Sequence, residues 1–144
     1  MDRSAKNIHK QRGVVLEFGL GNGRTFDHMR KLLPQRDIYV FEREIAAHPD
    51  CIPHPAFQFI GDFRDSIPRA IEQLGRSAAL AHLDIGTGQK NTSLALASKI
   101  APCIEKLLCG NAIVVSEQEV ERWRSYKLQL PAGISENRIH LYRL

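Results

Sequence analysis

Short apolar runs alternate with helical patterns along most of the chain. Five runs rich in branched and aromatic residues are typical of buried strands, and apolar residues between them recur at the three- and four-residue spacing of a helix face. Strands that alternate with helices form a largely parallel sheet covered on both faces, so the pattern predicts an α/β fold. The predicted strands cover residues 14–18, 37–42, 57–62, 78–84 and 112–116.

The C-terminal end changes character. Tyr126, Leu128 and Leu130 alternate with polar residues, a loop follows over 131–138, and residues 139–144 again resemble a strand. Strict alternation is typical of strands with one buried face. We therefore expect a closing pair of strands at one edge of the sheet.

Three glycines at alternate positions follow the first strand and precede the first helical pattern. Gly19, Gly21 and Gly23 permit a tight turn and the close approach of a ligand to the backbone. The free N–H groups of the helix that begins there favour a negatively charged or strongly polar ligand group. A dinucleotide-binding turn carries its third glycine at the sixth position, which is Arg24 here, so the third glycine comes one residue early.

An acidic residue stands at the end of each of the first four strands. In a parallel sheet these ends share one edge, where ligands bind. Glu42 follows the glycine turn by about twenty residues, the position from which a carboxylate binds the ribose hydroxyls of a nucleotide. A charge that merely closes a strand would explain Glu42 alone, but the glycine turn at this distance favours the ribose interpretation. The four residues are Glu17, Glu42, Asp62 and Asp84.

An acidic strand end followed by Gly-x-Gly-x-Gly resembles motif I of the class I S-adenosylmethionine-dependent methyltransferases. The segments GLGNGRTFDHMR, FEREIAAHPDC and AHLDIGTG resemble a small bacterial family of S-adenosylmethionine methyltransferases. The resemblance implies a Rossmann-like doubly wound sheet, mostly parallel, of order 3-2-1-4-5-7-6 with one antiparallel strand near the C-terminus. It also implies S-adenosyl-L-methionine as the cofactor and S-adenosyl-L-homocysteine as the product.

The same resemblance implies roles for individual residues. The glycine turn would support the methionine end of the cofactor and Glu42 the ribose. Asp62 and Phe63 would hold the adenine ring, while we expect Asp65 or Ser66, rather than Asp62, to cap the following helix. The expected cofactor-binding residues are Glu17, Gly19, Leu20, Gly21, Asn22, Gly23, Glu42, Asp62, Phe63 and Asp84.

Asp84 and Lys90 are the candidate catalytic residues, because they follow the fourth strand near the expected reacting end of the cofactor. Neither is assigned as a base, since Asp84 also suits the cofactor's ammonium group and Lys90 also suits a solvated loop. The turn reads Asp84-Ile-Gly-Thr-Gly, unlike the Asn/Asp-Pro-Pro-aromatic turn of the enzymes that methylate nucleic-acid bases and glutamine. We therefore expect a small-molecule acceptor and no nucleic-acid partner.

Residues 13–144 are expected to form a single cofactor-binding domain, preceded by the polar, basic segment 1–12. That segment is shorter than the N-terminal helices that usually cover the cofactor in the class I methyltransferases that this chain resembles. We interpret it as a residual lid, which a second copy of the chain would complete in a homo-oligomer. Two alternatives stay open: a non-catalytic or regulatory cofactor-binding protein that needs a partner chain, and a nucleotide- or NAD-binding Rossmann protein, which Arg24 disfavours.

Composition limits the function without naming it. The 144 residues carry a net charge of +4, with basic and acidic residues interspersed as on a solvated surface. No apolar run is long enough for a membrane span and the N-terminus lacks a signal-peptide core, so we expect a cytoplasmic protein with three free cysteines. His48, Cys51 and His54 lie three residues apart, but three ligands among prolines are a poor metal site, and no metal is expected.

Overall fold

The computed structural model describes residues 1–144 as helices and strands in alternation. The helices are α1 (Asp2–Asn7), α2 (Arg24–Leu32), α3 (Phe63–Leu74) and α4 (Lys90–Glu105). The strands are β1 (Val14–Phe18), β2 (Ile38–Glu42), β3 (Gln58–Ile60), β4 (Ala78–Leu83), β5 (Leu108–Ser116) and β6 (His140–Arg143). Short 3₁₀ helices cover Pro49–Cys51, Pro55–Phe57 and Glu121–Tyr126.

The strands form one sheet of order β3-β2-β1-β4-β5-β6. All neighbours pair in parallel except β6, which runs antiparallel to β5. The predicted α/β, doubly wound and mostly parallel architecture, with an antiparallel strand near the C-terminus, is therefore confirmed. The order reverses between β1 and β4, which opens a crevice at the carboxyl ends of these two strands.

The sheet has six strands, so the expected seventh strand, and with it the order 3-2-1-4-5-7-6, is wrong in that detail. The predicted strand around Leu128 meets β6 only through a bridge between Lys127 and Tyr142 and a hydrogen bond of 2.7 Å from the Leu128 N–H to the Leu141 carbonyl. The last 3₁₀ helix ends just before Lys127, and Pro131, which has no N–H to donate, follows shortly after. The extended stretch between them is too short for a ladder.

Each face of the sheet carries its own apolar cluster. The larger cluster is covered by α3, α4 and the fully buried Trp123, and the smaller one by α1 and α2. The segment expected to be polar at the N-terminus joins the smaller cluster through Ala5 and the fully buried Ile8. The Arg36 guanidinium fixes the end of this N-terminal segment by donating to the carbonyl oxygens of Ile8 (2.6 Å) and Gly13 (2.8 Å). Residues 1–12 thus pack onto the sheet.

Stacked aromatic rings fix the ends of the first three strands relative to one another. The ring centroids of Phe18 and Phe41 lie 4.3 Å apart, and those of Phe41 and Phe59 lie 4.9 Å apart. Phe63, the first residue of α3, meets Phe18 edge-on at 5.9 Å. Such pairs contribute about 1 kcal/mol each beyond their burial. The loops that leave β1, β2 and β3 therefore start from well-defined positions.

No helix combines the length and the apolar character needed to cross a bilayer. Cys51, Cys103 and Cys109 are free thiols, as expected. Burial and hydrogen bonds, rather than a covalent crosslink, hold the fold together.

Candidate functional site

A groove of about 510 Å³ runs along the carboxyl edge of the sheet, at the crevice between β1 and β4. Glycines supply part of its wall, and the missing side chains leave room for a ligand against the backbone. The expected cofactor residues that line it are Gly19, Gly21, Glu42, Asp62, Phe63 and Asp84. The remaining four do not line it: Glu17, Leu20 and Gly23 are buried, and Asn22 is exposed.

The glycine turn is held in a conformation that other residues cannot adopt. Gly19 has φ +89°, and a Cβ there would lie 1.9 Å from the carbonyl oxygen of Asp84. Gly23 has φ +80°, and its Cβ would lie 2.6 Å from that of Cys51. The Oδ1 atom of Asn22 accepts a hydrogen bond of 3.0 Å from the backbone N–H of the first residue of α2. Both the turn and the start of α2 are therefore fixed.

The Glu42 carboxylate, at the end of β2, accepts hydrogen bonds from the backbone of the same turn. Its Oε2 atom accepts from the backbone N–H groups of Leu20 (2.8 Å) and Gly21 (3.2 Å), while Oε1 accepts from the N–H of Arg43 (2.8 Å). Charge-assisted hydrogen bonds of this kind are the stronger ones in proteins. Glu42 therefore positions the turn in addition to lining the groove.

Asp62 caps α3. Its Oδ1 atom accepts from the backbone N–H of Arg64 at 2.9 Å, and the Arg64 side chain donates to the same oxygen at 3.1 Å. These hydrogen bonds lower the pKa of the half-buried Asp62 carboxyl. The expectation that Asp65 or Ser66 caps the helix is wrong, because only Gly61 separates Asp62 from the short strand β3 and α3 begins at once. Asp62 still lines the groove with Phe63.

Glu17 and His82 form a buried pair near the carboxyl ends of β1 and β4. Parallel pairing of β1 with β4 puts them side by side, and Nδ1 of His82 lies 2.8 Å from Oε2 of Glu17. Glu17 is fully buried, His82 is 7% exposed, and Oε1 of Glu17 is enclosed without a partner. Burial raises the pKa of Glu17. Burial is the largest influence on His82 and opposes its protonation, but the hydrogen bond to Glu17 and the charges of Glu17, Asp84 and Glu117 together outweigh it and raise the pKa of His82.

Asp84 and Glu117 meet at the ends of β4 and β5. The strand register pairs Leu83 with Ser116, and the N–H of Glu117 donates to the Leu83 carbonyl at 3.2 Å, so the next residues of the two strands are neighbours. Burial, and then the adjacent Asp84 charge, raise the pKa of Glu117. Three carboxyl groups, those of Glu17, Asp84 and Glu117, therefore act on the His82 imidazole, and Asp84 is the one of them that lines the groove.

The turn after β4 contains Thr87 and leads to the second candidate catalytic residue, Lys90. Thr87 lines the groove, and its Oγ1 atom lies 3.0 Å from Oγ of the buried Ser93, which accepts from the Thr87 N–H at 2.8 Å. Lys90, the first residue of α4, is exposed and does not line the groove. The structure therefore brings Asp84 into the groove but not Lys90.

The histidines of the proline-rich loop cap short helices. Nδ1 of His48 accepts from the N–H of Asp50 at 3.2 Å, and Nδ1 of His54 accepts from the N–H of Ala56 at 3.1 Å. Each histidine begins one of the two 3₁₀ helices of this loop. The regular spacing of His48, Cys51 and His54 thus reflects two successive turns.

Sequence reasoning missed His82 and Glu117. A histidine within the apolar run Ala78–Leu83, two residues before Asp84, was a signal for a buried polar contact, because alternate residues of a strand share a face. Glu117 repeats the pattern of the other acidic strand ends, since it directly follows the last residue of β5. Both residues lie near the start of the turn after β4, although neither lines the groove itself.

Comparisons with known proteins identify the family and support the fold. Residues 1–144 match the sequence profile of the S-adenosyl-L-methionine methyltransferase family. No match is found among curated proteins. The chain is similar to the crystal structure of an S-adenosyl-L-methionine methyltransferase from Silicibacter pomeroyi DSS-3, with 35% identity and a TM-score of 0.91 over 99% of this chain and 87% of the other.

More distant structures share the fold. A CmcI structure with Mg and SAM has 16% identity and a TM-score of 0.53, covering 97% of this chain and 68% of the other. The aminoglycoside resistance methyltransferase NpmB1 has 12% identity and a TM-score of 0.51, covering 96% and 90%. The full-length profile match and the relative at 35% identity decide between the alternatives that the sequence left open. The chain belongs to the S-adenosyl-L-methionine methyltransferase family, and is a class I methyltransferase that uses S-adenosyl-L-methionine as its cofactor.

Proposed function

We propose that this methyltransferase acts on a small molecule and binds its cofactor along the groove at the carboxyl edge of the sheet. The open side of the glycine turn supports this placement, because a Cβ at Gly21 would meet no atom within 4 Å. The turn takes the methionine end, and Glu42 accepts from the ribose hydroxyls. Asp62 and Phe63 receive the adenine ring, for which Phe63 supplies an aromatic surface. Asp84 lies at the opposite end, nearest the transferring methyl group.

One observation supports a small-molecule acceptor: acidic groups lie at the end of the groove, where β4 and β5 end. Asp84 lines the groove, Glu117 is its neighbour at the end of β5, and the charges of both act on the buried Glu17. Carboxylates repel the phosphates that dominate binding to nucleic acids. The turn after β4 offers Gly86, Thr87 and Gly88 instead of an aromatic ring on which a flipped base could stack. An uncharged or cationic small molecule fits this end better than a polyanion.

Bound S-adenosylmethionine supplies an already activated methyl group on a sulfonium. The protein's main contribution is then to hold acceptor and donor in line at short distance. The fixed turn at Gly19 and the capped start of α3 at Asp62 provide two rigid points for the donor. The acidic end provides polar groups that orient the acceptor and that accept its proton where it carries one.

Titration calorimetry tests the cofactor part of the proposal. We expect S-adenosylmethionine and S-adenosylhomocysteine to bind with micromolar dissociation constants and NAD not to bind. The acceptor class is tested by incubating the protein with methyl-labelled S-adenosylmethionine and a lysate separated into metabolite, RNA and protein fractions. We expect label in the metabolite fraction.

The Glu44→Gln variant is a suitable positive control for these assays, because Glu44 is an exposed neighbour of Glu42 that does not line the groove. Label recovered only in RNA would contradict the small-molecule proposal and favour a nucleic-acid acceptor. Four expectations from the sequence stay predictions. They are the role of Lys90, the cytoplasmic location, the residual lid, and the completion of that lid by a second copy of the chain.

A further inference from the structure

The burial of an ionisable side chain at position 82 costs free energy. It lies in β4, whose six residues are all buried, and faces the buried Glu17 on β1. Burying two ionisable groups costs more than their attraction returns unless their remaining polar atoms are also satisfied, and apolar residues of similar volume are often as good or better. Here Oε1 of Glu17 is enclosed and unpaired. Stability therefore does not explain the pair.

The hydrogen bond to Glu17 fixes which nitrogen of His82 faces outward. Nδ1, 2.8 Å from Oε2, donates its proton to the carboxylate, so the neutral ring keeps a lone pair on Nε2. Nε2 makes no hydrogen bond within the chain, and it is not among the fully enclosed polar atoms without a partner. The nitrogen that is free to take a proton is thus the one with access to the outside.

The position of His82 in the sheet places it at the transfer end of the groove. His82 belongs to β4, and Asp84, two residues later, directly follows that strand and lines the groove. Alternate residues of an extended chain share a face, so the two side chains point to the same side of the sheet. Pairing of β4 with β5 brings Glu117 to the same corner. His82 does not itself line the groove, but its imidazole lies close to the lining residue Asp84, whose charge acts on it.

We propose that His82 is the general base of the methyl transfer and that Glu17 is its positioning residue. This inference rests on the proposed function, because it assigns a role at the same site. It also narrows the acceptor class to nucleophiles that carry a proton, such as a hydroxyl or a protonated amine. A thioether or a tertiary amine would need no such group.

The proposed step balances with the groups already named. The acceptor's nucleophilic atom forms a bond to the methyl carbon while the carbon–sulfur bond breaks, and that bonding pair stays on sulfur. The acceptor's proton passes to Nε2 of His82. The resulting imidazolium is stabilised by the Glu17 carboxylate, as in other carboxylate–histidine pairs. Solvent then takes the proton, and neutral S-adenosylhomocysteine leaves.

The charged groups that act on the His82 pKa are all acidic. Glu17 on β1, Asp84 at the end of β4 and Glu117 at the end of β5 all favour the imidazolium, and together they outweigh the effect of burial on the His82 pKa. The neutral, base-competent ring therefore predominates only above the ordinary titration range of histidine. A positive charge bound nearby must shift this equilibrium back towards the neutral ring.

Cofactor binding as a function of pH tests the location and the protonation of His82 without knowledge of the acceptor. S-adenosylmethionine and S-adenosylhomocysteine differ at sulfur by one methyl group and one positive charge, so the ratio of their affinities isolates the effect of the sulfonium. We expect the relative affinity for S-adenosylmethionine to fall about tenfold as the pH is lowered from 8 through the His82 titration, because two cations then share the site. The assay is titration calorimetry between pH 5.5 and pH 8.

Two variants separate this proposal from a structural role. His82→Asn keeps a donor for Glu17 but cannot titrate, so the affinity ratio should become independent of pH. His140→Asn is the matched control, because His140 is 6% exposed, lies on β6 and faces Lys127 and Glu119 instead of Glu17. It should leave the pH dependence of the ratio unchanged. In Glu17→Gln the dependence should move to lower pH, since the His82 pKa loses its main support.

A pH-independent ratio in the wild-type protein would overturn the proposal, because His82 would then be too far from the sulfur to serve as the base. Absence of binding by both cofactors would instead contradict the cofactor assignment itself. If His82→Asn does not fold, the ring signals of His82 in the isotope-labelled wild-type protein give the same answer by NMR titration. A lower pKa with S-adenosylmethionine than with S-adenosylhomocysteine supports the proposal, and equal values overturn it.

Discussion

The two ends of the groove are built on opposite principles. Where β1, β2 and β3 end, acceptors and donors are matched: Glu42 accepts from three backbone N–H groups, and Asp62 accepts from the backbone and side chain of Arg64. Where β4 and β5 end, acidic groups crowd together. Glu117 is the neighbour of Asp84, and the carboxyl group behind them has one oxygen without a partner.

This difference separates what stabilises the free protein from what serves the reaction. Matched hydrogen bonds preorganise the binding end, so its side chains contribute to stability and to cofactor affinity together. Crowded carboxyl groups oppose folding at neutral pH, and such perturbed groups are typical of functional sites. Substitutions at the two ends should therefore change the free energy of unfolding in opposite directions.

The largest effect is expected at Gly19, where the two ends meet. Gly19→Ala would place a Cβ 1.9 Å from the Asp84 carbonyl oxygen at a φ of +89°, so β1 and β4 would have to move apart. We expect a loss of about 3 kcal/mol or more in the free energy of unfolding and no measurable cofactor binding. Denaturant unfolding and titration calorimetry measure the two effects.

Gly21→Ala is the matched control for Gly19→Ala. Gly21 has φ +52° but open space around a Cβ, so only the conformational cost of about 1 kcal/mol applies. Equal losses for the two variants would show that the contact between the glycine turn and β4 has no special importance.

The second effect concerns Glu42. Glu42→Gln removes the charge that holds Leu20 and Gly21 and that would meet the ribose hydroxyls. Hydrogen bonds to charged groups contribute about 1.5 to 3 kcal/mol, so we expect a roughly tenfold or greater loss of affinity for S-adenosylhomocysteine and a smaller loss of stability. Calorimetry measures the affinity, and unchanged binding would exclude Glu42 from the cofactor site. Glu44→Gln should bind like the wild-type protein.

Asp62 allows the capping and adenine-binding roles to be separated. Asp62→Ala removes both and should lower the free energy of unfolding by about 1 kcal/mol, whereas Asp62→Asn keeps a good cap and should leave stability nearly unchanged. If Asp62 also binds adenine, both variants should lose cofactor affinity several-fold. Wild-type affinity in Asp62→Asn would limit the role of this residue to the start of α3. Thermal unfolding and calorimetry on the same samples distinguish the two results.

The sequence specified the parts of the fold that depend on local patterns. Buried strands followed by polar ends, and helical spacings between them, are local properties, and the five parallel strands follow from them. Their order was implied by the resemblance to the class I methyltransferases. The segment after Tyr126 shows where this reasoning ends, because alternation at Leu128 and Leu130 predicts a strand only if a partner is in reach for several residues. Whether Pro131 interrupts that pairing depends on tertiary geometry.

The site divides in the same way. The glycine turn and Glu42 were predictable because their chemistry depends on type and spacing along one stretch of chain. The pairing of Glu17 with His82 was not, because it depends on the register between β1 and β4. The cap at Asp62 was misjudged since the length of β3 decides where α3 begins. The sequence could have predicted Glu117 only as a further acidic residue at the end of a strand.

Glu117 gives the smallest expected effect and the sharpest contrast between the two ends. Because folding raises the Glu117 pKa, the folded state binds this proton more tightly, and its contribution to stability is lost as the pH rises through that pKa. Glu117→Gln should therefore raise the free energy of unfolding at pH 7 by a few tenths of a kcal/mol, an effect kept small by solvent screening at this partly open position. The gain should vanish near pH 4, where Glu117 is itself protonated. Denaturant unfolding at both pH values measures this difference, and a loss of stability at pH 7 would show that the two ends of the groove are held together by the same kind of matched contacts.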